Sequence, residues 1–121
     1  MRVKFAELPV LDQDRAIAFY TRALGCTVAI DAPMGEDGWR WVELAFPGAE
    51  SHLHFLPRAN DEPSPEPVLV LIDDDIAGTV KGLRDQGVEI VSEPQAAPWA
   101  PGTTFAEFRD SEGNRMVLAD R

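Results

Sequence analysis

The stretch DQDRAIAFYTRALG, residues 12–25, has the pattern of a complete amphipathic helix. Asp12 is a good N-cap residue, because its side-chain oxygen can accept from a free backbone N–H of the first helical turn. Apolar residues then recur at the three- and four-residue spacing of one helix face: Ala16, Ile17, Phe19, Tyr20, Ala23 and Leu24. Gly25 is the expected end of the helix, since glycine readily adopts the left-handed conformation found there.

Segments of β-strand character lie on both sides of this helix. Residues 3–10 precede it, and residues 27–31, 39–46 and 51–56 follow it. Glycine-containing turns separate the later segments. The first half of the chain therefore reads as one strand, one helix and three strands.

The same order of elements recurs after a proline-rich stretch. We expect a first half over about residues 1–57, a linker over 58–67 and a second half over 68–121, all within one domain. The second half should contain a strand at 68–72, a helix with the apolar stripe Ile76, Val80 and Leu83, a short strand at 88–91, a loop at 94–101, and strands at 103–109 and 114–119.

Composition narrows the class of protein. The chain has 121 residues, 45% of them apolar, and a formal net charge of −10. Such a charge argues against binding nucleic acid or an anionic membrane surface, both of which need a basic face. No apolar run is long enough for a membrane helix and no signal-peptide core is visible, so we expect a soluble cytoplasmic protein. The single cysteine, Cys26, follows a helix-ending glycine and is expected to be a buried structural thiol.

Several fragments, in order, resemble the vicinal oxygen chelate superfamily of glyoxalases, bleomycin-resistance proteins and extradiol dioxygenases. The fragments are Asp12, Arg15-Ala16, Phe19-Tyr20, Leu24-Gly25, Asp74-Asp75-Ile76, Leu83, Gly87-Val88, Glu93-Pro94, Trp99 and residues 108–114, FRDSEGN. The resemblance implies an α+β fold of two βαβββ modules, with curved mixed sheets around a cup that holds a ligand. It also implies a homodimer and a small-molecule partner.

Strand alternation assigns the two faces of each expected sheet. The apolar set expected to face the helices comprises Ala6, Leu8, Val42, Leu44, Phe46, Leu53, Phe55, Val68, Val70, Ile72, Ala106, Phe108, Met116 and Leu118. By elimination, the set expected to line the cup comprises Phe5, Glu7, Trp41, Glu43, His52, His54, Leu69, Glu107, Arg115 and Val117.

Metal-dependent members of the superfamily place one ligand on each of four strands. Carried over by position, these sites fall here on Phe5, His54, Pro67 and Val117, and only the histidine has a lone pair to give. An alternative divalent site could use Glu7, His52 and His54, because residues two apart on a strand point the same way. We expect no metal or other cofactor.

Three functions remain open, one of them enzymatic. The first is metal-independent binding or sequestration of a small molecule, with a cationic aromatic ligand suited to a cup of carboxylates and indole rings. Its expected contacts are Glu7, Trp41, Glu43, His52, His54, Trp99, Glu107 and Arg115, with Trp39 near the rim. The second is a lyase or isomerase that uses Glu7 and His54 as an acid–base pair. The third is an interaction module with an empty cup. The competing interpretation is that Glu43 and Glu107 lie at solvent-exposed strand edges and that the tryptophans pack in an ordinary core.

Overall fold

The computed structural model describes residues 1–121. Eight strands and two helices form two successive βαβββ modules, which confirms the expected α+β architecture. In chain order they are β1 (Phe5–Val10), α1 (Gln13–Leu24), β2 (Thr27–Pro33), β3 (Arg40–Ala45), β4 (His52–Pro57), β5 (Leu69–Ile72), α2 (Ile76–Asp85), β6 (Ile90–Ala96), β7 (Thr104–Arg109) and β8 (Arg115–Ala119). The chain divides into two compact units, 1–61 and 62–121, and the division falls inside the proline-rich stretch.

The first unit is a four-stranded sheet in the order β1-β4-β3-β2, with α1 joining β1 to β2. β1 and β4 pair in parallel, and the other pairs are antiparallel. Asp12 caps α1 by accepting from the Arg15 N–H at 3.0 Å, and Gly25 ends it with φ of 70°. The core comprises Leu8, Val10, Ala16, Phe19, Tyr20, Val42, Leu44, Leu53 and Phe55, all buried.

Cys26 lies directly after this helix and is buried, as expected. Burial raises the pKa of its thiol to about 12, because the thiolate would lose its hydration. A thiol held in this protonated form is a poor nucleophile, which favours a packing role.

The second unit repeats the pattern with the strand order β5-β8-β7-β6. Asp75 caps the start of helix α2, and its side chain accepts from the Gly78 N–H at 3.1 Å. Its buried stripe is the predicted one, Ile76, Val80 and Leu83. No helix in residues 1–121 has the length and apolar character needed to cross a membrane.

The face predicted for β5 is wrong by one residue. Leu69 and Leu71 pair with the buried Met116 and Leu118 and share their side of the sheet. Val70 and Ile72 lie on the opposite side and are 59% and 65% exposed. The sequence VLVLI is apolar at every position, so it contains no alternation from which a face could be assigned.

The loop predicted over residues 94–101 begins too early. β6 runs from Ile90 to Ala96 and includes Pro94. It is the edge strand of its sheet, and its register with β7 shifts between Ser92 and Gln95. An edge strand tolerates proline at such a bulge, because no ladder hydrogen bond is needed from that nitrogen.

Candidate functional site

Strand register gathers six predicted site residues on one face of the first sheet. In the parallel pair of β1 and β4, Phe5 lies beside His52 and Glu7 beside His54. In the antiparallel pair of β3 and β4, Glu43 lies opposite His54. Trp41 is two residues from Glu43 on β3 and points the same way. These side chains lie on the side opposite the core residues of β1, β3 and β4.

Three rings on this face form what we call the ring cluster, consisting of Phe5, Trp41 and His54. The centroids of the Trp41 and His54 rings are 4.0 Å apart with planes at 36°, and those of Phe5 and His54 are 4.8 Å apart. Phe5 meets Trp41 edge to face at 6.0 Å. Phe5 and Trp41 are half-buried, while His54 is buried. The cluster therefore presents partly exposed aromatic surface backed by an imidazole.

Glu7 and His54 form a hydrogen-bonded pair beside the cluster. Nδ1 of His54 lies 2.8 Å from Oε2 of Glu7, and since an ionised carboxylate only accepts, the histidine donates. The Glu7 side chain is 46% exposed, whereas that of His54 is 10% exposed. Nε2 of His54 is buried without a hydrogen-bond partner. The pair thus has a carboxylate that is partly exposed to solvent and one imidazole nitrogen that could exchange a proton with a ligand that reaches it.

Glu43 differs because both of its carboxylate oxygens are occupied. Oε2 accepts from the indole N–H of Trp41 at 2.8 Å, and Oε1 accepts from Nδ1 of His52 at 2.9 Å. Its pKa lies below the ordinary glutamate value, chiefly because of the Trp41 hydrogen bond and also because of His52 and the charge of Lys4, although burial opposes the shift. The residue is only 2% exposed, so the competing interpretation of a solvent-exposed strand edge is wrong for Glu43.

The remaining predicted contacts belong to the second unit. Arg115 donates to both carboxylate oxygens of Glu107, with Nη2 3.0 Å from Oε1, and it also donates to the carbonyl of Pro65. Glu107 is 5% exposed, so the strand-edge interpretation is wrong here too. Trp99 lies after β6, is 58% exposed and contacts Phe105 at 4.7 Å between ring centroids. Glu107 and Arg115 satisfy each other, which leaves neither with an unpaired charge for a ligand.

A cavity of about 750 Å³ in the first unit was not predicted. It lies between the start of α1, the β2–β3 connection and the end of β4, and His54 and Trp39 are in its wall. Gln13 helps to shape it, because its amide donates to the Arg40 carbonyl at 2.7 Å and accepts from the Arg40 N–H at 3.0 Å. Only the fold brings residues 13 and 40 together, so no sequence signal distinguished Gln13 from an ordinary polar residue of a first helical turn.

Comparison with known proteins now gives the family. Residues 2–118 match the family model of the Glyoxalase/Bleomycin resistance protein/Dioxygenase superfamily. The chain belongs to this superfamily.

Similar proteins span nearly the whole chain. Uncharacterized protein YetH of Bacillus subtilis (strain 168) is 35% identical over 113 residues, which cover 92% of this chain and 91% of YetH. The crystal structure of UcmS2 superposes with a TM-score of 0.82 at 31% identity, covering 100% of this chain and 98% of UcmS2. The crystal structure of TnmS3, an antibiotic binding protein from Streptomyces sp. CB03234, gives a TM-score of 0.80 at 28% identity, covering 98% and 93%.

The residues present do not fit the four-ligand metal set of the superfamily's metal-dependent members. At three of the four corresponding positions, Phe5, Pro67 and Val117, the side chain has no atom that can bind a metal. Only His54 is left as a ligand. The alternative set of Glu7, His52 and His54 does not converge, since His52 is turned to Glu43 and Glu7 holds Nδ1 of His54. Residues 1–121 contain no group of three His, Cys, Asp or Glu side chains placed to hold a metal ion.

Proposed function

We propose that this protein binds and sequesters a small organic molecule, without a metal, at the ring cluster of its first sheet. The observation that carries the proposal is the pairing of half-exposed aromatic rings with the exposed carboxylate of Glu7. Aromatic faces attract flat ligands by stacking and attract cations through the ring quadrupole. A planar cationic or electron-poor aromatic molecule is the ligand class that this combination suits.

Charge supports the same ligand class. Glu43 and Glu107 are hydrogen-bonded to protein donors, so Glu7 is the carboxylate beside the ring cluster that has an oxygen left for a ligand. The net charge of −10 adds a general attraction for cations. The similarity to TnmS3, an antibiotic binding protein, supports ligand binding in preference to an empty fold.

Binding of two matched dyes tests the proposal. Proflavine is a planar tricyclic cation, and acridine at pH 8 is its uncharged analogue. We expect Trp41→Ala to weaken proflavine binding about tenfold, since a desolvated cation–π or stacking contact contributes about 1–2 kcal/mol. We expect Glu7→Gln to weaken proflavine several-fold and to leave acridine unchanged. Isothermal titration calorimetry gives both dissociation constants.

A charge-matched control separates the site from general acidity. Glu36→Gln removes an exposed carboxylate from the β2–β3 connection and should leave both dissociation constants unchanged. Proflavine binding that Trp41→Ala does not weaken would show that the ring cluster is not the site.

A second candidate is a metal-free lyase or isomerase, which one observation favours. The 2.8 Å hydrogen bond between Glu7 and His54 is the geometry of a general base held by a carboxylate, with Nε2 free. Such an enzyme would exchange protons next to a carbonyl group. Deuterium incorporation into dihydroxyacetone, followed by proton NMR, should then exceed the buffer rate and be lost in His54→Ala. An exchange rate equal to that of buffer would count against catalysis on this substrate class.

A further inference from the structure

The buried carboxylate of Glu43 is not needed as a ligand contact in the proposed site, and its geometry gives it another role. We propose that Glu43 is the positioning residue of the ring cluster, which fixes the Trp41 indole over His54 and leaves for a ligand only the π surface of the indole that His54 does not cover. This inference rests on the proposed function in so far as Trp41 contacts the ligand.

The Trp41 ring is held at two points. Its N–H donates to Glu43 at 2.8 Å, and its face lies against His54 with centroids 4.0 Å apart. The torsion between a Cβ and an aromatic ring is soft, so stacking alone holds the tilt of the ring only weakly. A hydrogen bond at the edge of the indole removes that freedom.

Glu43 is itself held in place, as a positioning residue must be. His52 on β4 donates to the second oxygen at 2.9 Å, so the carboxylate is bound by donors from two adjacent strands. Burying a carboxylate costs free energy unless both oxygens find partners, and hydrogen bonds to a charged acceptor are the strong ones. The two aromatic donors meet that requirement and at the same time define where the carboxylate lies.

The contact also determines how Trp41 can recognise a ligand. Its indole N–H is occupied and cannot donate to a ligand acceptor, so recognition takes place through the π surface. Donation to a negative acceptor polarises the indole and enriches the ring in electrons. Glu43 therefore favours cationic and electron-poor ligands without touching them.

Nuclear magnetic resonance of the tryptophan side chains in the full chain tests the contact without any ligand. Uniform ¹⁵N labelling gives one indole N–H signal for each of the three tryptophans, and Trp41→Phe assigns the relevant one. We expect the Trp41 N–H to exchange with solvent much more slowly than that of the exposed Trp99. We expect Glu43→Gln, which keeps an acceptor carbonyl but no charge, to shift the Trp41 signal and leave that of Trp99 in place. A Trp41 signal unmoved by Glu43→Gln would overturn the proposal.

A double-mutant cycle with proflavine then tests the consequence for binding. Glu43→Leu should raise the dissociation constant about tenfold, because it removes a hydrogen bond to a charged group. Glu43→Gln keeps a neutral acceptor and should raise it less. In the Trp41→Phe background, which has no indole N–H, the same substitutions should change binding by less than about twofold.

Equal losses of affinity in both backgrounds would show that Glu43 acts on the ligand directly and would overturn the positioning role. If proflavine does not bind the wild-type protein at all, the proposed function fails for this ligand class, and the indole signals still decide whether Glu43 fixes Trp41. Should Glu43→Leu not fold, Glu43→Gln alone gives both the signal shift and the cycle.

Discussion

Glu7 and Glu43 show how one face of one sheet can hold two glutamates with different roles. Each lies next to a histidine of β4, and each is 2.8–2.9 Å from a nitrogen of that histidine. Glu43 also accepts a hydrogen bond from Trp41 and is 2% exposed. The Glu7 side chain has the histidine as its hydrogen-bond donor and is 46% exposed. The number of donors and the exposure, and not the residue type, make Glu43 structural and Glu7 available.

The lowered pKa of Glu43 predicts how acid destabilises the protein. The ionised form is favoured in the folded state, chiefly by the Trp41 hydrogen bond, so the folded protein binds this proton less readily than the unfolded chain. Its contribution is therefore complete above the ordinary pKa of a glutamate in the unfolded chain and is lost as pH falls through the lower pKa of the folded state. Urea denaturation should show Glu43→Gln less stable than wild type by about 1–2 kcal/mol at pH 7, with the difference shrinking towards pH 3.

Glu36→Gln is the control for this measurement, because Glu36 is exposed in the β2–β3 connection. Its free energy of unfolding should follow that of the wild type at every pH. A Glu43→Gln difference that stays constant or grows in acid would contradict the assignment of Glu43 as a stabilising carboxylate.

At the scale of elements, sequence patterns predicted helices better than strands. Helix α1 begins after Asp12 and ends at Gly25 as predicted, and α2 has the predicted buried stripe, because caps and helical periodicity are local signals. The strands depend on their neighbours: the face predicted for the all-apolar β5 is wrong, and the proline in β6 is tolerated because β6 is an edge strand with a bulge. Local composition does not contain that information.

Two glycines of the α2 region predict opposite effects of the same substitution. Gly82 lies inside α2, and beyond the backbone of its own helix and its chain neighbours nothing lies within 4 Å of an added Cβ, so Gly82→Ala should stabilise the protein by about 0.5–1 kcal/mol through the lower entropy of the unfolded chain. Gly87 follows the helix with φ of 80°, so Gly87→Ala should destabilise it by about 1 kcal/mol. Chemical denaturation measures both, and changes of the same sign would contradict the backbone argument.

At the scale of the molecule, the net charge of −10 should act on any cationic ligand before contact. Long-range attraction raises the association rate and is screened as the Debye length shortens with salt. Stopped-flow measurements should show the association rate constant of proflavine falling several-fold between about 20 mM and 200 mM salt. The association rate constant of acridine should hardly change, and an equal fall for both dyes would rule out electrostatic attraction as the cause.

The expected homodimer stays a prediction that sedimentation can test.

The sequence by itself determined the family, the order of the ten elements, both ends of α1, and the mismatch with the metal ligand set. These follow from local sequence patterns and from whether a side chain has an atom that can bind a metal. It also assigned Phe5, Glu7, Trp41, Glu43, His52 and His54 to one face, because alternation in β1, β3 and β4 is clear. Only the tertiary structure decided which of these groups satisfy one another. Glu7 meets His54 across 47 residues of chain, and Glu43 meets His52 across 9, so their pairing depends on strand register and burial that no single segment specifies. That pairing is what separates a carboxylate that can meet a ligand from one that positions an indole ring.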